Sequence, residues 1–164
     1  MSERDFAIRR ATIADAAGVL ACLQAAFEPY RKRYTEGAFR DTVPSLRAVE
    51  ERLTSMAVFV AVTAEGAVAG TVAWSPHGPG EGHLRGMAVL PGRQGRGIAA
   101  RLLEAAEDEA RRAGCLRMAL DTTEPLERAI RFYERHGYRP TGTIGDFYGM
   151  DLFEYARPLR PPKR

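Results

Sequence analysis

One stretch constrains this chain more than any other: Met87-Ala88-Val89-Leu90-Pro91-Gly92-Arg93-Gln94-Gly95-Arg96-Gly97-Ile98-Ala99. An apolar strand pattern runs into a loop holding Gly92, Gly95 and Gly97, and a helical pattern starts at Ile98. Glycine adopts positive φ without strain and lets backbone N–H groups approach a ligand closely. The first turn of a helix carries unpaired N–H groups and a partial positive charge. Loop and helix start together predict an anion cradle, best suited to pyrophosphate. Arg93 and Arg96 add full charges beside it.

Three readings fit these glycines. They could form only a tight turn. Gly95-x-Gly97-x-x-Ala100 also matches the dinucleotide fingerprint G-x-G-x-x-A, with Asp121 near the end of the next strand as the ribose ligand. Two features weigh against that. Five residues separate Val89 from Gly95, where the fingerprint wants a tight turn, and the chain after Asp121 is too short to complete a doubly wound sheet. A Walker loop is excluded, because no Gly-Lys-Ser/Thr follows. The third reading, the phosphates of coenzyme A, rests on a resemblance described below.

With 164 residues, 45% hydrophobic and 27% charged, the chain has the length of one domain and is too apolar for a disordered segment. Its longest apolar run, 56–62, is far short of the ~20 residues a membrane helix needs. Cys22 and Cys115 are too few for a disulfide framework or a zinc site and read as buried small hydrophobes. The charged opening, residues 1–5, lacks a signal-peptide core, so a cytoplasmic protein is expected. Of 24 basic residues 22 are Arg, but a net charge of +3 is a weak basis for nucleic-acid binding.

Alternating patterns predict strands over 6–9, 56–62, 68–74, 83–90 and 116–121, with the last strands near 138 and over 148–155. Helical periodicity predicts a first helix with an apolar stripe of Ile13, Ala16, Ala17, Leu20, Leu23 and Phe27. Further helices are expected over 46–54, 98–113 and 126–136, whereas 28–44 reads as irregular and 75–82 as a loop. The order is antiparallel strands, a strand–helix–strand crossover, then a helix and a final hairpin. That predicts an α/β (α+β) fold, a mixed, mostly antiparallel sheet with helices on both faces. A single domain is expected over 1–164, with its core at about 5–159 and a frayed basic, Pro-rich tail starting between 157 and 160.

The sequence resembles the GNAT superfamily of N-acetyltransferases. Gln94-x-x-Gly97-x-Ala99 matches that family's acyl-CoA signature, Q/R-x-x-G-x-G/A, behind a strand ending Met87-Ala88-Val89. A second block, Ala129-Ile130-Arg131-Phe132-Tyr133-Glu134-Arg135-His136-Gly137-Tyr138, matches A-x-x-F-Y-x-x-x-G-F/Y. The resemblance implies acetyl-CoA as cofactor, and a splay between strands 83–90 and 116–121 that admits it. It implies pyrophosphate contacts from Arg93, Gln94, Gly95, Arg96, Gly97, Ile98 and Ala99. The pantetheine arm would lie along the backbone of Met87, Ala88 and Val89, where an N–H would also face the oxyanion. Tyr133 would touch the cofactor and protonate the departing thiolate. Leu126 stands where the family often has Asn on the pantetheine, so that polar contact is missing.

The general base is less determined. Counting six residues back from Val89, as in family members with a carboxylate base on this strand, gives His83, and an imidazole titrates in the useful range. Glu81 is the alternative, and a water chain is a third possibility. By alternation, His83, Arg85, Met87 and Val89 are expected on one face. The acceptor is expected among Phe27, Tyr30, Arg31, Tyr34, Trp74, His77, Phe147 and Tyr148, a mixed aromatic set suited to a small amine, an amino acid or a peptide N-terminus. The expected activity is acetyl transfer from acetyl-CoA to a primary amine, without a metal. A non-transferring acyl-CoA sensor and a nucleic-acid module are the alternatives. No membrane or nucleic-acid partner is expected, and a homodimer through the C-terminal strands is implied by the family alone.

Overall fold

In a computed structural model that describes residues 5–161, all strands join one sheet. Its order is β1 (Phe6–Arg10), β2 (Ala57–Thr63), β3 (Val68–Pro76), β4 (Glu81–Val89), β5 (Arg117–Thr122), β7 (Met150–Pro158) and β6 (Arg139–Phe147). Every neighbouring pair is antiparallel except β4–β5, which is parallel. A parallel pair needs a crossover, and helix α4 (Ile98–Arg112) supplies it.

Helices α1 (Ala16–Phe27) and α3 (Leu46–Ser55) cover one sheet face, with Val19, Cys22, Leu23 and Val49 packed on Val60 and Ala88. Helices α4 and α5 (Glu127–Arg135) cover the other, with Leu102, Leu103, Ala106 and Tyr133 packed against Val72, Leu84, Val89 and Leu120. Burying each such leucine contributes roughly 1.5–3 kcal/mol.

Several expectations are corrected. The 28–44 segment is ordered: a 3₁₀ turn (Glu28–Arg33) leads to helix α2 (Glu36–Thr42), which Thr35 caps by accepting from the Ala38 N–H. Helix α1 buries Ala16, Val19, Cys22, Leu23 and Ala26, while Ile13 lies in a preceding 3₁₀ turn and is 58% exposed. The stripe shifts because the helix starts later than its Thr12 capping signal. Strands β3 and β4 extend into the supposed 75–82 loop, leaving only residues 77–80 between them. Arg157 and Pro158 belong to β7, and Leu159 is buried with its N–H bonded to the Leu116 carbonyl. The expected tail is thus held in place at its start; residues 162–164 lie outside the described residues.

The feature that shapes the site is a bulge in β4. Thr71 opposes Ala88, but Ala73 opposes Arg85, so β4 has one extra residue there. Gly86, at φ +66°, takes the left-handed turn this requires. The extra residue reverses the alternation. Leu84, Met87 and Val89 all pack in the α4–α5 layer, whereas Ala88 packs under α1 and α3. Met87 and Val89 therefore do not share the face of His83 and Arg85, contrary to simple alternation.

Candidate active site

The β4–β5 pairing runs from Glu81↔Arg117 to Leu84↔Leu120 and stops at the bulge. Beyond it the strands part, as the family resemblance implies. The gap opens into a cleft of about 630 Å³, within the size range of small-molecule sites.

At one end lies the glycine loop. Gln94 donates from Nε2 to the Val89 carbonyl at 3.3 Å, tying the loop to the end of β4. Gly95 and Gly97 have φ of +78° and +84°, conformations that L side chains adopt only with strain. Gly97 is the N-cap of α4 and supplies no side-chain acceptor. The first-turn N–H groups, bare of a cap, stand where Gly97, Ile98, Ala99 and Ala100 line the cleft. Arg93 lines it too. Arg96 is not among the lining residues, and Arg128 of α5 takes a place there instead.

Along the middle, Met87, Ala88 and Val89 form one wall, and Leu120, Asp121 and Thr122 the other. Thr122 Oγ1 is buried with no hydrogen-bond partner among the described residues. A buried orphan hydroxyl in a cleft wall suits a ligand that carries amides. Uncapped N–H groups, two arginines, a parted strand edge and this orphan hydroxyl together fit coenzyme A. Leu126, the N-cap of α5, also lines the cleft.

Tyr133 reaches the cleft from α5 and is only 6% exposed. Its ring packs edge-on against Phe132 and Tyr138. Burial pushes its phenol well above the usual tyrosine range, so the hydroxyl keeps its proton. That hydroxyl forms no hydrogen bond to a described residue.

His83 stands at the point of parting, with Nε2 3.0 Å from Asp121 Oδ2. The parallel register sets His83 beside Ala119, and Asp121 lies two residues further on the same face. His77 stacks nearby, its ring centroid 5.6 Å from that of His83. Glu81 sits at the closed end of the pair, ion-paired with Arg117 at 2.8 Å, and does not line the cleft.

Of the expected acceptor residues, Phe27, Tyr30, Tyr34 and Phe147 line the cleft. Tyr34 bonds Thr123 through the two hydroxyls at 2.6 Å, and burial raises its phenol. Arg31, Trp74, His77 and Tyr148 are not among the lining residues. Arg31 covers the Phe39 ring and bonds Glu28; the Trp74 indole N–H donates to Glu109 on the α4 side; Tyr148, 58% exposed, lies against Gly37. Asp41, Arg52, Arg85, Arg128 and Thr122 line the cleft without a motif in the sequence to mark them.

Residues 19–138 match the "Acetyltransferase (GNAT) family", and the chain belongs to it. Members of this family use acetyl-CoA. Among curated proteins, the chain is 46% identical over 52 residues to "Acetyltransferase Atu2258" of Agrobacterium fabrum, covering 32% of this chain and 36% of that one. It is 41% identical over 58 residues to the "Aminoalkylphosphonate N-acetyltransferase" of Salmonella typhimurium, covering 35% and 38%. The chain thus spans little more than a third of the length of these relatives. Its fold is that of the PaiA N-acetyltransferase from Thermoplasma acidophilum solved in complex with coenzyme A. The TM-score is 0.77 at 18% identity, over 93% of this chain and 98% of the other. No helix among the described residues is long and apolar enough to cross a membrane.

Proposed function

We propose that this protein transfers an acetyl group from acetyl-CoA to a primary amine of a small molecule or peptide. The observation that carries this reading is that one cleft joins the uncapped α4 start, the parted β4 edge, Tyr133 and the His83–Asp121 pair. Acetyl-CoA would supply the thioester whose acyl group is transferred. The loop from Arg93 to Ala99, with Arg128, would hold its phosphates, and Met87, Ala88, Val89 and Thr122 its amide-rich arm.

The chain's own residues handle the protons. With His83 Nε2–H donating to Asp121, the ring's Nδ1 keeps its lone pair and takes a proton from the incoming ammonium. Asp121 fixes that tautomer and balances the charge the ring acquires. Tyr133, held neutral by burial, would give its proton to the departing thiolate from the α5 side of the cleft. No observation in the site favours an acyl-CoA sensor that does not transfer.

The test is a pair of measurements. Acetyl-CoA raises the melting temperature of the wild type by mass action, and Gly97→Glu abolishes the rise by placing a carboxylate at the helix start. Thiol release over a panel of amines then reads transfer directly. A rise with acetyl-CoA and no release over the whole panel overturns the transferase reading. No rise at all overturns the cofactor assignment.

A further inference from the structure

The acceptor end of the cleft carries an arginine that the transfer chemistry leaves unused. Arg52, on α3, lines the cleft with Asp41, Thr42, Arg85 and Gly86. Its guanidinium lies against the β4 bulge, where a Cβ on Gly86 would come 2.8 Å from Nη1. Arg85 Nη2 bonds Asp41 Oδ2 at 2.8 Å, so the one carboxylate of this corner is engaged. Arg52 forms no ion pair and no side-chain hydrogen bond with a described residue. Burial, and then the neighbouring Arg85, push it down to about 10, against a smaller opposing pull from Asp41, which Arg85 already engages. Two guanidinium groups face one carboxylate, leaving an excess of one positive charge in a partly desolvated wall.

A desolvated cation without a counter-ion is costly, and the cost is recovered when an anion joins it. The phosphates of coenzyme A are not that anion. The glycine loop lies beyond Val89, and Arg85 precedes Val89 by four residues, about 13 Å of strand in the opposite direction. Arg85 also shares the face of His83, where the amine is expected to lose its proton.

We propose that Arg52, supported by Arg85, is an anion subsite for the acceptor, and that the acceptor is an amine carrying a carboxylate or a phosphonate. This rests on the transferase reading above. A guanidinium fork takes two oxygens of either group in one plane. The acid would dock at Arg52 while the amine reaches toward His83, so the subsite selects compact acceptors with both groups.

Matched acceptors test this: β-alanine against propylamine, and aminomethylphosphonate against methylamine. The wild type prefers the acidic member of at least one pair. In Arg52→Gln that preference, taken as the ratio of kcat/KM values, falls about tenfold or more, as expected for loss of a charge-assisted bidentate contact. Arg52→Lys restores part of it. The two pairs decide between carboxylate and phosphonate. Arg52→Gln also melts no lower than the wild type, because it removes an uncompensated cation; a structural arginine would lower it. Independently of turnover, methylphosphonate and acetate are titrated into the protein saturated with coenzyme A. Binding of either one to the wild type that is lost in Arg52→Gln supports the subsite. Equal rates within both pairs, or probe binding unchanged by the substitution, overturn it. Arg52-dependent probe binding with no amine acetylated overturns the transferase reading and leaves the anion subsite standing.

Discussion

His83 Nε2 and Asp121 Oδ2 meet at 3.0 Å across the last point at which β4 and β5 remain neighbours. The carboxylate can reach the ring because both strands still run in parallel register one residue earlier. If Asp121 acts through His83, the two substitutions share one effect. We expect His83→Gln to lower the rate of thiol release about 10²-fold, in the range of general-base losses. Asp121→Asn lowers it less, and the double variant is no slower than His83→Gln alone. A double variant whose losses multiply would show that Asp121 serves something other than the imidazole.

Tyr133 separates chemistry from folding. Its hydroxyl bonds no described residue, while its ring fills the core between Phe132 and Tyr138. Tyr133→Phe keeps the ring and removes only the hydroxyl proposed to donate the proton. Thiol release is expected to fall by about 10² or more, with the melting temperature and its rise with acetyl-CoA both retained. Undiminished release would assign the proton to water.

The bulge is testable through one methyl group. Gly86→Ala forces an L side chain to φ +66° and sets its Cβ against Arg52. The backbone strain costs about 1–2 kcal/mol. For a chain of this size that lowers the melting temperature by about 2–8 °C. An unchanged melting temperature would mean that β4 can shed the bulge.

Alkaline pH should weaken the fold. Burial pushes the Cys22 thiol up to about 12. Burial, and then Glu107, hold the Tyr138 phenol far above its usual range. In both cases folding favours the protonated form. Their contribution is complete below the unfolded pKa values and is lost as pH rises through the folded ones. The urea midpoint is expected to hold up to about pH 8.5 and to fall above it. Cys22→Ala should flatten the decline between about pH 9 and 11. A midpoint that stays level to pH 11 contradicts this.

The splay enters only with the family resemblance, whereas the glycine loop and the crossover are legible in the sequence because each has a local cause: glycines at a helix start, and a strand followed by a long helix. The bulge is not. A lone Gly86 in a strand signals it only weakly, yet it moves Met87 and Val89 to the other face. Trp74 and Tyr148 read as acceptor residues, but which side of β3 faces α4 depends on register, and Tyr148 sits in a tight turn. No motif marks Arg52; only packing against β4 reveals it as desolvated. Glu107, buried between Tyr138 and Arg157, hides among the water-facing charges of α4 for the same reason.

The extra residue at Gly86 puts the two halves of β4 out of phase with one another. Leu84 before it and Met87 and Val89 after it pack in the layer beneath α4 and α5, so His83 and Arg85 face the side on which Ala88 packs under α1 and α3. If the amine enters over His83 and Arg85, variation at those two positions retunes what is admitted and leaves Leu84, Met87 and Val89 packed as they are. A lineage built on this chain can therefore change its diet one residue at a time and keep the same fuel.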